Sequence, residues 1–198
     1  MFEVDPMKIS LLKSSIELNS FQSRVKLINK AVSDLQTNSV IYMSTNTSSE
    51  LILNKNNTNR ADMYPVETIR LGDMKFTSDI YLLHVDVEGY EIHVIRSSEN
   101  LFRNNSIHHL LLEYSATVTD RVAQNDLLSY VRDILGGRRI FALHPKDFTI
   151  FGPLYNEDID QFYSQHRAIE LKRDVYIQFH EDGLTIDSKQ YDFNSSFD

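Results

Sequence analysis

An apolar run, Ile80-Tyr-Leu-Leu-His-Val85, is followed at once by Asp86-Val-Glu-Gly-Tyr-Glu91. A continuous apolar run of this length reads as a buried strand, the kind a parallel sheet places near its centre. The chain then turns into a helix, with Gly89 letting the backbone turn tightly or approach a ligand at the helix start. Three carboxylates therefore arrive at the carboxyl end of a strand, where open α/β sheets bind their ligands. Acids packed so closely are costly to keep without a function.

The rest of the chain alternates in the same way. Residues 1–4 read as the end of a strand, Asp5 as a helix cap and Pro6 as the first helical residue. Ile9, Leu12 and Ile16 then recur at helical spacing, and Asn19 and Ser20 close the helix. Val25 to Val32 reads as the next strand, making a βαβ unit with a right-handed crossover. Residues 44–62, rich in Asn, Thr and Ser, read as a flexible surface loop. Tyr64 to Ile69 is strand-like.

Gly89 to Phe102 reads as a helix with Tyr90, Val94, Ile95, Leu101 and Phe102 on its apolar face. Ile107 to Tyr114 is a buried strand. Thr119 to Leu135 is a helix with Leu127, Val131 and Ile134 inward, stopped by Gly136-Gly137. Strands at Arg139–Leu143 and Phe148–Leu154 flank the turn His144-Pro-Lys-Asp147. A helix from Glu157 to His166 is capped by Asn156, and Asp174 to Phe179 is the last strand. The expected fold is α/β, with a mainly parallel sheet and an antiparallel pair near the C-terminus. Residues 1–180 are expected as one domain and 181–198 as a polar, frayed tail.

Composition narrows the function. A formal net charge of −8 argues against nucleic acid as a partner, because phosphate binding needs clustered Lys and Arg. The absence of cysteine excludes disulfides and thiolate metal sites. No run approaches the roughly 20 apolar residues of a membrane span, and no signal peptide is visible. The cytoplasm is the default location. His84 is expected inside a buried strand, His93 on a helix, and His108 and His109 on opposite faces of one strand. None forms a pair with metal-ligand spacing. Neither a G-x-S-x-G elbow nor a P-loop is present.

Four motifs agree in order: F-E-x-D-P over residues 2–6, N-K-A-V-S-D over 29–34, H-V-D-V-E-G-Y-E over 84–91 and L-L-L-E-Y over 110–114. Together they resemble the FkbM-type methyltransferases over roughly residues 1–115. The resemblance implies a Rossmann-like, class I methyltransferase sheet and S-adenosylmethionine as cofactor. It also implies methyl transfer to an oxygen, a hydroxyl of a sugar or natural product, by direct displacement. Such a fold needs a glycine-rich turn after its first strand. The six glycines lie at 72, 89, 136, 137, 152 and 183, none in a G-x-G arrangement and none before Glu3. By this resemblance the first strand is missing. Three readings are open: a piece of a longer chain, an inactive paralogue acting as a non-enzymatic binding scaffold, or a gap filled by another segment or a partner.

The resemblance assigns Glu3 to the ribose hydroxyls of the cofactor and Ala31 to its adenine pocket, with Ser33 and Asp34 as weaker candidates. Asp86 and Glu88 stand at the reacting end, where a carboxylate can take or guide a hydroxyl proton; Asp86 is also placed at the cofactor. Two apart on an extended segment, their side chains share a side. The competing reading makes Glu88 a helix cap and Asp86 a loop hydrogen-bonder. Glu91, in the first helical turn, is favoured by the helix dipole alone. Glu113, ending the next strand, could bind substrate hydroxyls or share a divalent cation with Asp86 and Glu88. No metal is assigned.

Overall fold

The computed structural model describes residues 1–44, 51–52, 63–104, 106–115, 126–144, 146–147, 149–168, 172–181 and 183–191. The chain groups into two compact units, Met1–Met74 and Lys75–Asp198, where one domain is expected over residues 1–180.

In the first unit, helix α1 spans Pro6–Leu18. Asp5 caps it: its Oδ1 accepts the N–H groups of Met7 at 2.7 Å and Lys8 at 3.3 Å. Pro6 takes the first helical position, where its missing N–H costs nothing. Ile9 is buried, and Leu12 and Ile16 are half-buried on the same stripe. Asp5→Ala strands two N–H groups and should cost about 1 kcal/mol, read as a lower urea midpoint.

The expected strands on either side of α1 contract. Phe2 and Ile28 form a single parallel bridge, with hydrogen bonds from Glu3 N to Ile28 O and from Ile28 N to Met1 O. Only Ala31–Val32 remains as strand β1. Strands β2 (Val40–Ser44), β3 (Leu51–Ile52) and β4 (Met63–Ile69) complete a sheet of order β1-β4-β2-β3. Ala31, Ile41, Met43 and Val66 pack together as its core, joined by Val4 and Tyr64. Strand β3 pairs with Tyr42 and Met43 and lies within the stretch expected as a loop. Residues 45–50 and 53–62 of that stretch lie outside the described residues.

In the second unit, strands β5 (Ile80–Val85), β6 (Ile107–Ser115), β7 (Arg139–Leu143), β8 (Ile150–Leu154) and β9 (Lys172–Gln178) form a sheet of order β5-β6-β9-β7-β8. Helices α2 (Glu91–Ser97) and α3 (Glu99–Arg103) follow β5, α4 (Leu127–Asp133) follows β6, and α5 (Asn156–Ala168) joins β8 to β9. The expected helix from Gly89 is broken at Ser98, whose hydroxyl turns back on Val94 O and Ile95 O.

The sheets are mixed rather than mainly parallel. β1–β4 and β5–β6 are parallel; β2–β3, β2–β4, β6–β9, β7–β8 and β7–β9 are antiparallel. One hairpin accounts for much of this. β8 reverses β7, the crossover through α5 preserves that new direction, and β9 therefore enters between β6 and β7 running against both. β5 has β6 as its neighbour and no second one among the described residues. Tyr81 and Leu82 are 63 % and 48 % exposed, and His84 is exposed too, so β5 is not the fully buried strand its composition suggests.

In α4, Leu127, Leu128 and Val131 face inward while Ile134 is half exposed, because the helix has ended and the chain turns through Gly136 at φ +80°. The first half of the expected helix, residues 119–125, lies outside the described residues. Asn156 is the first residue of α5 rather than its cap; Asp158 reaches back to accept the Tyr155 N–H at 2.7 Å. The expected tail is partly folded. Lys189 bridges Phe151, Ser188 Oγ donates to Gly152 O, and Tyr191 is buried against Phe151 and Phe162. Two buried aromatic contacts outweigh the polarity of the intervening residues. No described helix is long and apolar enough to cross a membrane.

Candidate active site

The parallel register of β5 on β6 sets Val85 opposite Leu112, so Asp86, just past the end of β5, lies level with Glu113 inside β6. One carboxylate oxygen from each of Asp86, Glu88 and Glu113 lies within 4.8 Å of the others. Asp86 and Glu88 are exposed and Glu113 half-buried. The grouping expected from the sequence is therefore present, reached by a different route. Glu88 is not extended: its φ is +52°, and Gly89 follows at +97°. Two successive left-handed residues fold the segment back, a conformation that suits glycine and is uncommon for glutamate. The turn, not strand alternation, brings Glu88 beside Asp86.

Neither acid caps α2. Tyr90 occupies the cap position and supplies no side-chain bond to the helix. Glu91 behaves differently from a surface acid at a helix start. It is 1 % exposed, and its Oε1 accepts the N–H groups of Gly89 at 2.9 Å and Val87 at 3.3 Å. The sequence shows the acid in the first turn; its burial comes from Ile92, Val94 and Ile95 pulling that face of α2 inward. Across the β6–β9 ladder Glu113 faces Asp174, an exposed acid not anticipated from the sequence. Like charges directly opposite each other destabilise a ladder. Oxygen donors alone would suit a hard cation such as Mg²⁺, but exposed acids commonly gather without one.

His93, His108 and His109 have partners of their own. His109 Nδ1 meets Tyr176 Oη at 2.7 Å. His93 stacks on Tyr90. His108 stacks on His180 and lies 3.6 Å from Asp79.

In the first unit, Glu3 is half-buried at the Phe2–Ile28 bridge. Its Oε1 accepts the N–H groups of Val4 at 2.7 Å and Asp5 at 2.9 Å, which fixes the carboxylate's direction. Tyr64 lies near enough that, after burial, the Asp5 and Glu3 charges help push its phenol up. Ala31 is buried in the packed cluster of Ile41, Met43 and Val66. Ser33 is fully buried, its Oγ accepting the Leu35 N–H at 3.2 Å, and the backbone carbonyl of Asp34 receives Arg70.

Residues 1–148 match the family described as the methyltransferase FkbM domain. The structure is similar to the crystal structure of the methyltransferase FkbM from Methylobacillus flagellatus KT, with a TM-score of 0.53 and 13 % identity. The match covers 89 % of this chain and 35 % of that one, so the chain spans about a third of that protein's length. At this identity the likeness speaks for the fold, a mixed α/β arrangement. No curated protein matches the sequence. With a family match over three quarters of its length, the chain belongs to the FkbM methyltransferase family.

Proposed function

We propose that the chain takes part in S-adenosylmethionine-dependent methyl transfer to an oxygen, a hydroxyl of a sugar or natural product. The observation that carries this reading is the convergence of Asp86 and Glu88, just past the end of β5, with Glu113 near the end of the parallel strand β6, in a member of a methyltransferase family. When bound, S-adenosylmethionine supplies a methyl group carried on a positively charged sulfur. Asp86 or Glu88 would accept the proton of the acceptor hydroxyl and pass it to solvent. General bases of this kind contribute roughly 10²–10⁴-fold. Glu113 accepts a hydrogen bond from the acceptor and so fixes its approach, since alignment of the reacting atoms is itself a large part of such catalysis.

The acceptor chemistry of the Glu3 carboxylate fits the cofactor's ribose. With Oε1 tied to two backbone N–H groups, the carboxylate is preoriented, and carboxylates at such strand ends accept ribose hydroxyls. Cofactor binding by Glu3 and Asp86 belongs to the proposal, as do a location in the cytoplasm and a small-molecule or carbohydrate acceptor. Ala31 is the adenine-side candidate, its small side chain already taken up by core packing.

Calorimetric titration of S-adenosylhomocysteine into the 198-residue chain tests the reading. Micromolar binding is expected, weakened about tenfold or more by Glu3→Ala, the loss of a charge-assisted hydrogen bond. A folded chain that takes up no S-adenosylhomocysteine at millimolar concentration would sink the cofactor assignment.

A further inference from the structure

We infer that Glu91 is a positioning residue: its buried carboxyl group holds the Asp86–Gly89 turn in the shape that brings Asp86 and Glu88 together. The consequence for catalysis rests on the methyltransferase reading above; the consequence for the turn does not.

Glu91 opens α2 yet is 1 % exposed. Attraction to the helix dipole needs only an acid in the first turn and gives no reason to bury it. Burying a carboxyl group is unfavourable unless its hydrogen bonds are made, and two that Glu91 makes run backward, out of the helix. Its Oε1 spans the turn, accepting from Gly89 N at 2.9 Å and Val87 N at 3.3 Å. Between these two donors sits Glu88 at φ +52°, a conformation a residue with a Cβ adopts at a cost. A backbone hydrogen bond from Tyr90 N to Val87 O, at 3.3 Å, also spans the turn. One oxygen therefore draws together the N–H groups on either side of the strained residue. Without that acceptor, Glu88 is expected to relax toward extended backbone, and its carboxylate moves away from those of Asp86 and Glu113. An exposed pair of acids is thus held by a third that the acceptor never touches.

Two variants separate this role from packing. Glu91→Gln keeps an oxygen that can accept both N–H groups. Glu91→Met keeps length and volume and offers no acceptor. Amide hydrogen exchange at Val87 and Gly89, followed by NMR, reads the turn; the carboxyl ¹³C resonances of Asp86 and Glu88 read the placement of the acids. Glu91→Met is expected to speed exchange at Gly89 about tenfold or more and to shift both carboxyl resonances, with Glu91→Gln close to the parent. Wherever transfer can be assayed, Glu91→Met should lower kcat with little change in the affinity for S-adenosylhomocysteine. A folded Glu91→Met protein with unchanged exchange and unchanged carboxyl resonances overturns the inference. Failure of the parent chain to bind S-adenosylhomocysteine would instead sink the methyltransferase reading, and the NMR comparison would still decide the role of Glu91.

Discussion

Converting both Asp86 and Glu88 to their amides should lower methyl transfer by roughly 10²–10⁴-fold while leaving the chain folded. Both side chains are exposed, so the change removes charge and creates no cavity. Their crowding with Glu113 within 4.8 Å is a repulsive arrangement, and Asp174 faces Glu113 from the next strand. Relieving part of that repulsion should raise the thermal midpoint, not lower it. Gain of stability with loss of activity is the expected mark of a cluster kept for function. The single variants should divide the effect. Asp86→Asn is expected to weaken S-adenosylhomocysteine as well as turnover, because Asp86 follows β5 directly and the proposed function gives it a cofactor-binding role. Glu88→Gln should lower turnover alone. Transfer of labelled methyl from S-adenosylmethionine to a panel of methyl glycosides, with calorimetry on each variant, supplies both readouts. Turnover by the double variant equal to that of the parent would remove the proton-handling role.

The grouping of Asp86 with Glu88 was legible in the sequence because the two acids are close along the chain. D-V-E-G-Y-E follows an apolar run, and the run is a strand, β5. Glu113 lies near the end of β6 rather than at it, because the strand runs on to Ser115 through its pairing with β9. What escaped was geometry set by side chains folding back on the backbone and by elements docking on one another. The left-handed turn at Glu88 depends on an acceptor oxygen from Glu91, and burial of Glu91 depends on α2 docking. Local spacing contains neither. Likewise, Val40–Ser44 and Leu51–Ile52 become strands through pairing with each other and with β4, and short strands carry little periodic signal of their own. The direction of β9 follows from the β7–β8 hairpin rather than from its residues, and so the antiparallel share of the sheet was underestimated. Asp5 and Pro6 were read correctly because a cap is a local device.

Stability of the second unit is expected to fall by about 3 kcal/mol between pH 6.5 and pH 4, with His166 as the main cause. His166 lies on α5 with no solvent exposure. Its Nδ1 sits 2.7 Å from Phe162 O, a carbonyl that can only accept, so the proton is on Nδ1. The ring packs 3.9 Å from that of Phe162, with Tyr191 at 6.5 Å. Burial pushes the imidazole down from 6.5 to about 4, and the buried Arg173 guanidinium on β9 adds to the effect; the bond to Phe162 O opposes both. The folded protein therefore holds His166 neutral over a range in which the unfolded chain protonates it. Between those two values the unfolded state binds the extra proton, and stability drops as pH falls; below about 4 both states are protonated and this contribution levels off. Asp133 and Asp147, held low by Arg132 and by Thr149, are exposed side chains that titrate below the window. His166→Gln retains a donor for Phe162 O and cannot titrate, so it should flatten the profile between pH 6.5 and 4. The chain has no tryptophan, so urea unfolding at pH 7 and pH 4.5 is followed by circular dichroism. Parent and His166→Gln proteins that lose stability equally over that interval would show that the acid sensitivity lies elsewhere.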